Sequence, residues 1–334
     1  MSIETLELIG YIIMYIMVFL FGITIGSFLN VCIYRLPKGE SLIKQNSHCM
    51  TCGTEIKRYD LIPLFSWLIL KGKCHACGAK ISPRYMLVEG LTGVMFVLSF
   101  LRYDLIYCGF YFAVLALFFA GLIVIGFEDY DTQEMSVCVL VYLFILAAVE
   151  RLLREIFPLF IRYDEVSLTD GLFGMVSISI PLLIIGFVIT PVVYSLFISE
   201  DHKSLRKLKS RLKRMTAEKE SEKEIDKIKS FIEKHQNNID EKGPVYGFGM
   251  GDIILMGAGG LLLGWKASIV ALFVAVLVGA LYAIIRRMKK DNDKDNAFAF
   301  GPFLTIGLAF SAFFGNVIFD AYVSFLTVPQ IPVA

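Results

Sequence analysis

Residues 8–34, LIGYIIMYIMVFLFGITIGSFLNVCIY, hold no charged side chain in 27 positions. At about 1.5 Å per helical residue, such a run crosses the roughly 30 Å hydrocarbon core of a bilayer with length to spare. It does not read as a cleavable signal: Glu4 and Glu7, not Lys or Arg, precede it, and no small-residue cleavage site follows before Arg35. Seven further apolar windows follow, at 86–101, 105–127, 135–149, 172–198, 253–265, 267–285 and 300–325. They account for a 56% hydrophobic composition and a mean hydropathy of +0.67. A soluble globule, a disordered chain and a disulfide-stapled miniprotein are all excluded. The expected fold is an all-α polytopic membrane protein with about eight transmembrane helices.

Charge placement orients the spans, because Lys and Arg near span ends are retained in the cytoplasm. Arg35 to Arg84, Lys203 to Arg214 and Arg286 to Lys290 are the basic segments, and all three fall on one side of an alternating eight-span chain. Both termini are then expected outside. Residues 150–170, with Arg151, Arg154 and Arg162, fall on the outer side and read as a surface-lying helix through Leu153, Ile156, Phe157 and Phe160. The net charge of +1 gives no reason to expect a nucleic-acid partner. The chain divides into a first span (1–34), a cytoplasmic zinc loop (35–85), four spans (86–199), a charged insert (200–246) and three spans (247–334). The insert holds 23 of the chain's 63 charges. Its Leu205, Leu208, Leu212 and Met215, then Ile225, Ile228 and Ile232, repeat at three and four, as a cytoplasmic helical hairpin requires.

Between the first two spans stand Cys49-Met-Thr-Cys52 and Cys74-His-Ala-Cys77. Each C-x2-C pair can turn two thiolates onto one ion, and four thiolates complete a tetrahedral shell of the kind zinc takes in structural sites. Gly53 and Gly78 follow the pairs, where the turn favours positive φ. In a reducing cytoplasm two disulfides are the weaker reading, and iron takes the same donor set. Either His48 or His75 could replace a thiolate. Cys32, Cys108 and Cys138 lie in spans and read as packing residues. The apolar run 61–70 between the pairs is too short to cross and should lie at the membrane interface.

The third span runs inward to Gly126-Phe-Glu128-Asp129-Tyr-Asp131, and the sixth begins on the same side with Gly249-Met-Gly251-Asp252. Acids at the edge of apolar spans are costly and mark function by default. If the helices meet, Asp129 and Asp252 can share one proton, so that one carboxylate activates water while its protonated partner polarises a carbonyl. Gly249 and Gly251 leave room for a substrate backbone. Glu128 and Asp131 have the same chemistry on other faces of the helix. A rival reading takes the two aspartates as ion or proton ligands of a transporter.

The ordered set Gly26-Ser-Phe-Leu-Asn30, Arg35-Leu-Pro37, the two C-x2-C pairs, Ile62-Pro-Leu64, Gly72-Lys-Cys74, Val88-Glu89, Asp129-x-Asp131, Gly249-x-Gly251-Asp252 and Phe300-Gly-Pro-Phe303 resembles the type 4 prepilin peptidases over nearly the whole chain. The resemblance implies an intramembrane aspartyl endopeptidase of the cell membrane that removes the basic leader of prepilins or pseudopilins on the cytoplasmic side. It also implies N-methylation of the new terminus with S-adenosylmethionine. The family's catalytic aspartates fall on Asp129 and Asp252, and its methylation-linked glycine falls on Gly72. The chain departs from the family pattern at Ser136-Val137, where Pro-Asp is common, at Ile254, where a lysine is usual, and at Ala299, where a proline is frequent.

Overall fold

A computed structural model of the protein describes residues 3–43, 46–103, 105–156, 166–194, 196, 200–217, 225, 227–233, 248–288 and 299–327. Those residues are helical with short connections, and their only β pairing is two isolated bridges in the cysteine loop. A helix stands at each of the eight apolar windows. They are α1 (Ile3–Arg35), α3 (Arg84–Arg102), α4 (Leu105–Thr132), α5 (Val137–Ile156), α6 (Leu168–Ile184), α8 (Met250–Leu263), α9 (Trp265–Met288) and α10 (Gly301–Thr327). Five-residue α2 (Phe65–Ile69) lies in the cysteine loop, and α7 (Glu200–Ala217) opens the charged insert.

Six of the eight are long and apolar enough to cross a membrane: α1, α3, α4, α6 with its continuation to Val193, α9 and α10. α8 has only 14 residues, ending where Gly264 takes φ +82°. α5 is 20 residues long but carries Glu150, Arg151, Arg154 and Glu155 in its last turns.

Those last turns correct one expectation. Residues 150–156 do not start a separate surface-lying helix; they complete α5, and Arg151 is only 2% exposed. Its guanidinium donates to the carbonyl oxygens of Leu261 (2.8 Å), Leu262 and Val166 (2.7 Å). Two of those oxygens belong to the last turn of α8, whose carbonyls have no intrahelical donor. Glu150, fully buried, pairs with Arg151 at 3.3 Å and with Arg154. Arg151 is therefore a buried clamp on the end of α8, with Arg154 beside it on Glu150. The Phe157, Phe160 and Arg162 part of that expectation lies outside the described residues.

The chain forms two compact units, residues 1–178 with 254–334 and residues 179–253. The first is a helical scaffold whose core includes Phe118, Leu115 and Ile125 of α4, Leu143 of α5, and Leu304 and Leu308 of α10, all fully buried. The cysteine loop joins this unit at α1 and α3. In its 61–70 run Phe65, Leu68 and Ile69 are exposed apolar side chains, as a surface meeting lipid would present.

The second unit holds the end of α6, which widens into a π turn at Ile185–Ile189 four residues after Pro181. It also holds the insert. Leu205 and Met215 of α7 and Ile228 of the helical stretch 227–233 are buried, while Leu208, Leu212 and Ile232 are half-buried. The apolar stripe read from the sequence is thus the covered face of both helical stretches. The connection at 218–224 lies outside the described residues.

Candidate active site and metal centre

Each half of the cysteine loop folds through the same backbone bonds. Cys49 N–H donates to Thr54 O at 2.9 Å and Gly53 N–H to Cys49 O at 2.8 Å; Cys74 N–H donates to Ala79 O at 2.8 Å and Gly78 N–H to Cys74 O at 2.9 Å. Gly53 and Gly78 take φ +69° and +71°, as the turn after a knuckle requires. The antiparallel bridges His48–Glu55 and Lys73–Lys80 close the two hairpins.

The Sγ atoms of Cys49, Cys52, Cys74 and Cys77 consequently lie within 4.8 Å of one another. Cys49 and Cys77 are 3.9 Å apart. A tetrahedron with Zn–S of about 2.3 Å has sulfur–sulfur edges of roughly 3.8 Å, whereas a disulfide needs about 2.05 Å. The donor set fits a four-thiolate metal site, and the four cysteines are free of disulfides. Neither histidine joins the cluster: His75 Nδ1 lies 3.2 Å from Asp60, and His48 Nδ1 lies 3.3 Å from Asn46 O.

The Cys52 and Thr51 amides draw the Cys49 thiol down to about 6. For Cys77 the Ala79 amide also favours the thiolate, but sharing hydrogen bonds with the neighbouring thiols outweighs it and pushes the group up to about 11. Near neutral pH one thiolate is thus ready while another keeps its proton until a cation displaces it. Zinc binding should therefore release protons, and apparent affinity should rise from about pH 6 upward, because protons compete less as pH climbs. Competition with a chromophoric chelator at stepped pH measures this; an affinity flat across that window is incompatible with thiolate ligation.

At the end of α4 the three acids have three different partners. Glu128 is fully buried and accepts from Ser136 N–H (3.1 Å) and Ser136 Oγ–H (3.0 Å), which fastens the turn into α5. Asp131 pairs with Arg84 of α3 at 2.6 Å. Asp129, 6% exposed, accepts from Gly301 N–H at 2.8 Å, an unpaired amide at the start of α10 that favours an anion. A role for Gly301 was not read from the sequence, although it stands in the Phe300-Gly-Pro-Phe303 motif. A Cβ there would sit 2.6 Å from Asp129 Oδ2 and also collide with Met135 Cε. Gly301→Ala should displace the Asp129 carboxylate and reduce turnover about 10²-fold, as roughly 1 Å of misplacement can. Rates on a leader-bearing substrate check this, and an unchanged rate would mean the carboxylate need not be held there.

Asp252, in the second unit, is 8% exposed and sits in the first turn of α8. Its Oδ2 accepts from Gly249 N–H at 3.0 Å, so the acid reaches back to cap its own helix. Gly249 is exposed, and a Cβ on it would meet Asp252 Oδ2 at 3.6 Å and Gly251 N at 4.0 Å, both ordinary contacts. Ser136, at the first departure from the family pattern, serves as the partner of Glu128, and Ile254 is partly exposed.

Residues 116–284, which include Asp129 and Asp252, match the family model described as the type IV leader peptidase family. The chain belongs to that family. Residues 20–103, with all four cysteines, match the bacterial peptidase A24 N-terminal domain. Among relatives of this type IV leader peptidase family member, a prepilin leader peptidase/N-methyltransferase of Xanthomonas campestris is 26% identical over 91% of this chain and 92% of its own length. One of the same name from Neisseria gonorrhoeae is 28% identical over 85% of each chain. A third, from Myxococcus xanthus, reaches 44% identity but over 28% of each chain. No solved structure matches.

Proposed function

We propose that this chain is a membrane endopeptidase that removes the basic leader of type IV prepilins or pseudopilins, with Asp129 and Asp252 as its catalytic pair, and that it methylates the new amino terminus. The observation that carries the peptidase reading is the pair of nearly buried aspartates within the family match, each with one oxygen fixed by a backbone amide, Gly301 N–H or Gly249 N–H.

Held so, each carboxylate is fixed in place through a backbone amide. One, ionised, takes a proton from water as the water attacks the scissile carbonyl. The other, protonated, donates to the developing oxyanion and then helps return a proton to the leaving amine. The exposed Gly249 gives the substrate backbone access. We place this chemistry on the cytoplasmic side, with both termini outside, from the distribution of Lys and Arg.

Zinc, held by Cys49, Cys52, Cys74 and Cys77, would crosslink the loop; with all four positions filled by protein, it has no place for substrate. S-adenosylmethionine would supply the methyl group.

Incubating the detergent-solubilised chain with a prepilin tests the proposal. Mass spectrometry should find the leader removed and one methyl added to the mature product. Ion flux in liposomes without any cleavage would favour the transporter reading instead.

A further inference from the structure

Seven of the twelve residues from Lys203 to Arg214 are Lys or Arg, and none is Asp or Glu. The acids of the insert lie to either side, Glu200 and Asp201 before this stretch and the rest after it. We propose that this part of α7 docks on anionic lipid headgroups and holds the charged insert against the membrane surface. The inference goes beyond the peptidase reading and does not depend on it.

Four of these cations, Lys207, Lys209, Arg211 and Arg214, are exposed, and among the described residues none of the four makes a salt bridge. Arg84, Arg151, Arg154 and Lys266, by contrast, each meet a carboxylate. At about 100° per residue, Lys207, Arg211 and Arg214 share one stripe of the helix roughly 60° wide. Like charges three and four positions apart weaken a helix until a counter-charge meets them. A layer of lipid phosphates supplies that counter-charge.

Another side of α7 is already occupied. Leu205 and Met215 are buried and Leu208 and Leu212 half-buried, so the helix keeps no apolar stripe to sink between acyl chains. The attraction therefore comes from charge alone. The membrane is also within reach. The span begun by α6 runs to Val193 and α7 starts at Glu200, so the intervening residues 194–199 extend at most about 25 Å. A basic helix tethered this closely to a span meets headgroups at high effective concentration, whereas an acidic protein has to arrive from solution.

The full chain in phosphatidylcholine nanodiscs, with a minor fraction of phosphatidylglycerol carrying a photoreactive headgroup, tests this. The expected result is label on peptides from 203–215, falling severalfold between about 0.05 and 0.5 M salt as the screening length shortens. Lys207→Gln, Arg211→Gln and Arg214→Gln combined should cut that label by at least about tenfold, since each cation near the surface strengthens the attraction about fivefold. Arg211→Lys with Arg214→Lys keeps the charge and should keep the label, which separates charge from side-chain shape. The basic end of α9, at Arg286 and Arg287, is the reference within the same chain, and its label should be the same in every variant. Equal labelling of 203–215 by a phosphatidylcholine probe of the same design, label there that survives high salt, or undiminished label in the triple Gln variant would each overturn the docking. So would a parental chain unlabelled at 203–215, the result expected if an acidic protein is the partner instead.

Discussion

Replacing Asp129 or Asp252 by Asn is expected to reduce leader cleavage by about 10³- to 10⁴-fold, the scale on which a positioned acid or base contributes. The amide of Asn keeps the shape and can still accept from Gly301 N–H or Gly249 N–H, so the helix ends should stay in place. What disappears is a group that can hold or yield a proton near neutral pH. Glu128→Gln is the internal control. Glu128 is just as buried, but both of its oxygens are engaged with Ser136, which assigns it to the α4–α5 turn. That variant should cleave at close to the parental rate. Initial rates on a purified prepilin, with circular dichroism to confirm folding, decide the matter. Parental cleavage by either Asn variant would remove the aspartyl mechanism.

Arg151→Met is expected to produce the largest loss of stability, about 3–5 kcal/mol, as when one member of a buried ion pair is removed. It would leave Glu150 buried beside only Arg154, and would strip donors from Leu261, Leu262 and Val166. Adding Glu150→Gln should recover part of the loss, because the orphaned charge goes with it. Thermal unfolding in detergent micelles, followed by intrinsic fluorescence, measures both. A single variant with an unshifted midpoint would show that α8 needs no clamp at its carbonyl end.

What could be read from the sequence divides by distance along the chain. All eight apolar windows became helices, and the cysteine cluster followed from its spacing, because span length and the C-x2-C turn are written in neighbouring residues. The contacts that distinguish similar residues are not local. Asp129 meets Gly301 across 172 positions and Arg151 meets Leu261 across 110, so neither could be derived from periodicity. The surface-lying helix read from Leu153 and Ile156 failed for a physical reason: the charges of 150–154 look like a wet span end, but here backbone carbonyls take the place of water around Arg151. The three acids of 128–131 were alike in sequence and became distinct only when α3, α5 and α10 supplied their separate partners.

Among the described residues of 36–87, no hydrophobic side chain is fully buried. The cap over the first unit therefore lacks an oily interior of its own, and its shape depends on hairpin bonds and on whatever ion the four sulfurs grip. Starving a cell of zinc would then be a selective injury. The cap would come apart first, while the helical scaffold kept its fold.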